Sequence, residues 1–197
     1  MVDNQPSGRY SILMAKKKQV DKILDAAGAV VHKHGIASLT IDGVAEKVGM
    51  SKGGVLHHYR TKDLLIEAMV QRTANQWREG FHKAYENTKE GPGRSARALL
   101  ANCLSDAKAW TDELRDGSSA LFAALAYDPK LIAPMRKVYR ELHQHLADDD
   151  LPPGVAVTVL AAIDGMWLWW VLGLRKLDQS LVEQVRRVLE SIVEELK

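Results

Sequence analysis

The stretch Thr40-Ile-Asp-Gly-Val-Ala-Glu-Lys-Val-Gly49-Met-Ser51-Lys-Gly-Gly54-Val-Leu-His57-His-Tyr59-Arg60 decides the fold. Thr40 is a good N-cap for a short helix over 41–48, and Ser51 for a second over 52–59. Val44 and Val48 lie on one face of the first helix, and Ala45 is small where the two helices must cross. Gly49 can take the left-handed conformation of a tight turn. Met50 and Val55 complete a small apolar core. This spacing predicts a helix-turn-helix.

The second helix carries groups suited to a DNA groove. Lys52 brings charge near the helix N-terminus, where backbone amides also favour phosphate. Gly53 and Gly54 each cost about 1 kcal/mol in helix propensity, which makes sense if the backbone must approach DNA closely. His57, His58 and Tyr59 offer donors, acceptors and flat surfaces for base edges and phosphates. Lys62, opening the next helix, can anchor a phosphate.

Outward from this motif the periodicity is helical throughout, and the chain reads as all-α. Upstream, Val20, Ile23, Leu24, Ala27, Val30 and Val31 form one stripe over 16–34, stopped by Gly35. Downstream, a long helix follows Thr61 to about Thr88, broken by Gly91-Pro-Gly93. Further helices are expected over 94–111, 118–126, 129–147, 155–174 and 179–195. Pro134 should kink the third of these or mark its real beginning. The division expected is a flexible extension over 1–15, a helix-turn-helix domain over 16–62, and a helical domain over 63–197. Met14, followed by Ala15 and three lysines, offers itself as a natural start.

Thr40 to Leu65 resembles the N-terminal DNA-binding domain of the TetR/AcrR family of bacterial regulators. Ile23-Leu-Asp-Ala-Ala27 and His34-Gly35 resemble that family's first helix and its end. The specific resemblance covers residues 16–65. It implies a three-helix N-terminal domain, a C-terminal bundle, and a homodimer on a palindromic operator. It also implies repression relieved when a small molecule enters the C-terminal domain. By position, Thr40, Ser51, Lys52, Gly53, Gly54, His57, His58, Tyr59 and Lys62 match the family's DNA-facing stretch. Three positions depart: Leu56 stands where the family often has tyrosine, Tyr59 where phenylalanine is usual, and Arg60 where proline is common. Arg60 could supply the backbone contact that a tyrosine at position 56 would make.

Composition agrees with this reading. The 197 residues are 26% charged and 46% hydrophobic, which excludes disordered and fibrous classes. Residues 1–70 hold ten Lys/Arg against seven Asp/Glu and four of the seven histidines, so nucleic-acid contact is expected at the front. The single Cys103 excludes an intramolecular disulfide framework and fits a reducing cytoplasm. Val155 to Leu174 is long enough to span a bilayer, but Asp164 at its midpoint would cost about 2.5–3.5 kcal/mol. No membrane association is expected.

An effector, if there is one, should lie in the back half. Trp77, Trp110, Phe122, Tyr127, Met135, Tyr139, Asp164 and Trp167 are the candidates for a largely apolar pocket taking a small apolar or amphipathic molecule. Asp164 reads either as a carboxylate meeting a polar or cationic ligand group, or as a buried acid held by a hydrogen-bond partner. The last two helices are the dimerisation candidates, with Ala161, Gly165, Leu168 and Leu172 allowing close approach. Enzyme chemistry is not expected. His32/His34 and His143/His145 point about 200° apart around a helix, too far for a shared metal. No cofactor or metal is expected. The alternative is a regulator of the same fold without a small-molecule ligand, controlled by a protein partner or acting as an activator.

Overall fold

The structure, a computed structural model, describes residues 8–196. Helix α1 spans Gly8–His34. Residues 8–15, expected as part of a flexible extension, are therefore helical: no breaker separates Gly8 from Lys16. Residues 1–7 of that extension lie outside the described residues.

The helix-turn-helix follows as α2 (Ile41–Val48) and α3 (Lys52–His58). The Thr40 hydroxyl accepts from Gly43 N at 3.1 Å and the Ser51 hydroxyl from Gly54 N at 3.1 Å, as the cap chemistry requires. Gly49 sits at φ 67°, ψ 33°, a left-handed position that admits the sharp turn. Val44, Ala45 and Val55 are buried at the crossing of the two helices.

Helix α4 spans Lys62–Asn87, its start capped by Thr61. The remaining helices are α5 (Arg94–Cys103), α6 (Asp112–Tyr127), α7 (Ala133–Ala147), α8 (Val155–Val171) and α9 (Gln179–Glu195). Helix α5 ends eight residues earlier than expected, and a short 3-10 turn at Ala107–Ala109 follows it. Helix α6 starts earlier than expected because Thr111 caps it, its hydroxyl accepting from Leu114 N. Pro134 marks a beginning: Pro129–Ile132 forms a 3-10 turn, and α7 places Pro134 in its first turn, where no amide is needed.

Two apolar cores result. The first gathers Ile23, Leu39, Val44, Val55, Leu65 and Val70, and it also takes Ala120 and Ala124 of α6 with Met135 and Val138 of α7. The second gathers Phe81, Leu99, Leu142, Val159, Ile163 and Val182 among α4, α5, α7, α8 and α9. Packing therefore does not divide at residue 62. The C-terminal part of α6 belongs to the same core as the helix-turn-helix, so displacement of α6 bears directly on α1 and α4.

Candidate nucleic-acid interface and ligand cavity

The outer face of the helix-turn-helix presents Thr40, Ser51, Lys52, Gly53 and His57 to solvent. The Lys52 ammonium lies 2.9 Å from the Asp42 carboxylate, with both side chains mostly exposed, so a phosphate has to displace a weak surface pair. A Cβ at Gly53 would meet only the Ser51 hydroxyl, at 4.0 Å. The fold thus has no steric use for this glycine. Gly54 is different: a Cβ there would stand 3.2 Å from Met50 Cε and 3.3 Å from the Ser51 hydroxyl, so part of its reason is internal packing.

His57 and His58 meet edge to face with ring centres 5.5 Å apart. Burial, then His57 and then Lys16 push the His58 imidazole below its ordinary value, which favours the neutral ring. Lys16, in the basic run Lys16-Lys17-Lys18 of α1, is the smallest of these three influences. Tyr59 turns inward, half-buried against the front core, and burial raises its phenol. Lys62 is engaged within the protein: its ammonium donates to Ile36 O at 2.6 Å and lies over the Tyr127 ring. Of the expected DNA-facing set, Tyr59 is thus partly buried and Lys62 already has partners within the protein.

Behind this surface, α4, α5, α6 and α8 enclose a cavity of about 250 Å³. Its walls are Gln76 and Trp77 of α4, Asn102 and Cys103 of α5, Trp110, Leu114 of α6 and Trp167 of α8. Three tryptophans expected in a pocket are brought together here. Trp167 is held by its indole N–H donating to the Ser118 hydroxyl at 3.0 Å, and Phe122 stacks behind it at 5.2 Å. Trp110 donates to Cys103 O at 3.2 Å. Among the described residues, the cavity walls carry no charged side chain. Burial pushes the Cys103 thiol up to about 12, so it lines the wall as a protonated, weakly polar group.

The other candidates lie elsewhere. Tyr127 is exposed at the end of α6 and Met135 is buried in the front core. Asp164 accepts from the Tyr139 hydroxyl at 2.7 Å, which makes it the acid held by a partner; burial raises its carboxyl, while Tyr139 and His143 oppose that rise. Periodicity did not reveal Gln76, Asn102 or Cys103. Gly80 was a faint signal for Asn102, because a Cβ at Gly80 would stand 2.7 Å from the Asn102 amide oxygen.

Comparison with known proteins settles the lineage. Residues 23–69 match the family described as bacterial regulatory proteins, tetR family, and residues 93–194 match the tetracyclin repressor-like C-terminal domain. The chain belongs to the TetR family. This TetR-family chain is a DNA-binding transcriptional regulator of all-α fold. The HTH-type transcriptional regulator BetI of Escherichia coli is 26% identical to it over 180 residues, covering 84% of this chain and 89% of BetI. The multidrug binding protein EbrR, solved in complex with malachite green, aligns at TM-score 0.61 and 26% identity over 88% of this chain and 97% of its own. A TetR transcription regulator from Haloarcula marismortui shares the fold at TM-score 0.66 and 19% identity, covering 91% and 98% of the two chains. Among the described residues no helix is long and apolar enough to cross a membrane.

Proposed function

We propose that this TetR-family regulator is a cytoplasmic repressor that binds a palindromic operator as a homodimer and leaves it when a small uncharged, mainly apolar molecule fills the tryptophan-lined cavity. The observation that carries the reading is the double duty of α4. Leu65 and Ile66 at its start are buried with the helix-turn-helix, and Gln76 and Trp77 farther along wall the cavity. A ligand that favours another setting of α4 lowers operator affinity by its differential affinity for the two settings.

The dimer face proposed is α8 with α9. Leu168, Trp169 and Leu172 stand 37%, 39% and 52% exposed, Val188 of α9 is also exposed, and a Cβ at Gly165 would meet nothing within 4 Å. A bare apolar face with an open glycine fits close approach of a second copy. Such a dimer would set two recognition helices about 34–36 Å apart, one helical turn of DNA.

The test is selection of random DNA fragments by the purified protein, followed by footprinting. An inverted repeat with half-sites a whole number of turns apart is the expected result. Absence of any enriched sequence at low salt, with a folded dimer confirmed by sedimentation, would overturn the operator-binding dimer. A thermal-shift screen of uncharged aromatic compounds separates the ligand question from the DNA question.

A further inference from the structure

A second recess, of about 380 Å³, lies on another side of Trp110, between the start of α6 and the connection from α8 to α9. It is lined by Trp110, Arg115, Trp170, Arg175, Lys176 and Leu177, together with Gly173. Its chemistry differs from that of the neutral cavity: three cations line it and, among the described residues, no carboxylate does. Gly173, left-handed at φ 67°, turns the chain back after α8, and its N–H donates to Trp170 O at 3.2 Å. That reversal carries Arg175 and Lys176 to the rim.

Arg115 forms the floor. Its Nη2 donates to Trp170 O at 3.0 Å, and its guanidinium lies 4.9 Å from the centre of the Trp170 ring. One hydrogen bond to the carbonyl end of α8 explains part of this placement. It leaves Nε buried with no hydrogen-bond partner. Arg175 lies over the Trp169 ring, 5.9 Å from its centre, and no ion pair joins Arg175 or Lys176 to a carboxylate of the described residues. A trio of like charges with no ion pair among the described residues is costly. An anionic group offsets it. Trp110 and Trp170, packed edge to face at 5.4 Å, add an apolar wall beside the cations.

We propose that this recess is a binding site for an amphipathic organic anion: a carboxylate held by Arg115, Arg175 and Lys176, on an aromatic or otherwise apolar body resting against Trp110 and Trp170. A fork of guanidinium N–H groups suits a planar carboxylate. Because Trp110 also walls the neutral cavity, the two sites share a side chain and occupancy of one bears on the other. The site does not depend on the repressor mechanism proposed above.

The experiment is isothermal titration of the full-length protein with 2-naphthoate, using 2-naphthamide as the uncharged counterpart. Saturable binding of naphthoate is expected, weakening with salt. The double variant R175Q/K176Q changes only exposed side chains and should weaken naphthoate at least about tenfold, leave naphthamide unchanged, and keep the melting temperature. Q76A, in the neutral cavity, should leave naphthoate binding unaffected. The proposal is overturned by absence of saturable naphthoate binding, or by loss of binding in Q76A with none in R175Q/K176Q. It is likewise overturned if R175Q/K176Q only loosens self-association, since the recess would then hold a carboxylate of a second copy.

Discussion

The ammonium of Lys62 lies 5.3 Å from the centre of the Tyr127 ring while donating to Ile36 O at 2.6 Å. One side chain at the head of α4 thus ties the end of α6 to the segment following α1. Replacing Lys62 by Met should cost about 1–2 kcal/mol of stability, since a charge-assisted hydrogen bond to a carbonyl disappears. Replacing Tyr127 by Ala should lower the melting temperature less and act mainly on the communication between α6 and α4. Urea denaturation of both variants, with operator affinity measured beside it, checks this. Equal destabilisation by the two would contradict the ranking.

Gly53 and Gly54 should separate in their responses. G53A is expected to raise stability by about 0.5–1 kcal/mol through helix propensity and to weaken operator binding, because the only consequence of its methyl is outside the chain. G54A should lack that gain, as Met50 and the capping hydroxyl of Ser51 must give way. Full operator affinity in G53A would remove close backbone approach as the reason for this glycine.

Asp164 makes stability depend on pH in a defined direction. Burial raises its carboxyl above 3.8, so the folded state keeps a proton that the unfolded chain has released. Stability contributed by this group is therefore greatest in acid and is lost as pH rises through the window from 3.8 up to the raised folded value. D164N, which preserves an acceptor for the Tyr139 hydroxyl, should remove that slope and be the more stable protein at neutral pH. Urea midpoints across this range, compared between the two proteins, decide it; parallel curves would assign the slope to other groups.

Asp149 is 5% exposed and caps α5 from 54 residues away, its two oxygens accepting from Ser95 N at 2.6 Å and Ala96 N at 2.9 Å. Asp149→Ala should cost about 2–4 kcal/mol, because two buried amides at a helix start lose their partners. Asp149→Asn, which keeps one good acceptor, should cost about half as much. Thermal unfolding of both variants measures the difference, and an Ala variant as stable as the parent would show that water replaces the carboxylate.

What the sequence by itself determined is everything carried by neighbours along the chain. The bounds Ile41–Val48 and Gln179–Glu195 were legible to the residue. Thr40, Ser51 and Gly49 act on amides or torsions within three positions of themselves, and the helical period sorts inward from outward faces without knowing what lies opposite. The all-α class and the exposed placement of Lys52, Gly53 and His57 follow from such short-range chemistry.

Only the tertiary structure decided which distant groups meet. Lys62 and Tyr59 have the chemistry and position for DNA, and the fold also gives them Ile36, Tyr127 and the front core as neighbours. Asp164 carried the charge of a ligand contact, but Tyr139 stands 25 residues away with a hydroxyl at hydrogen-bond distance. The cavity takes walls from four helices and the loop before α6, and its polar members Gln76 and Asn102 look like ordinary helix residues when read singly. Local periodicity fixes the angle of a side chain around its own helix. The neighbour it meets depends on how separate helices cross, and that comes from packing among all of them at once.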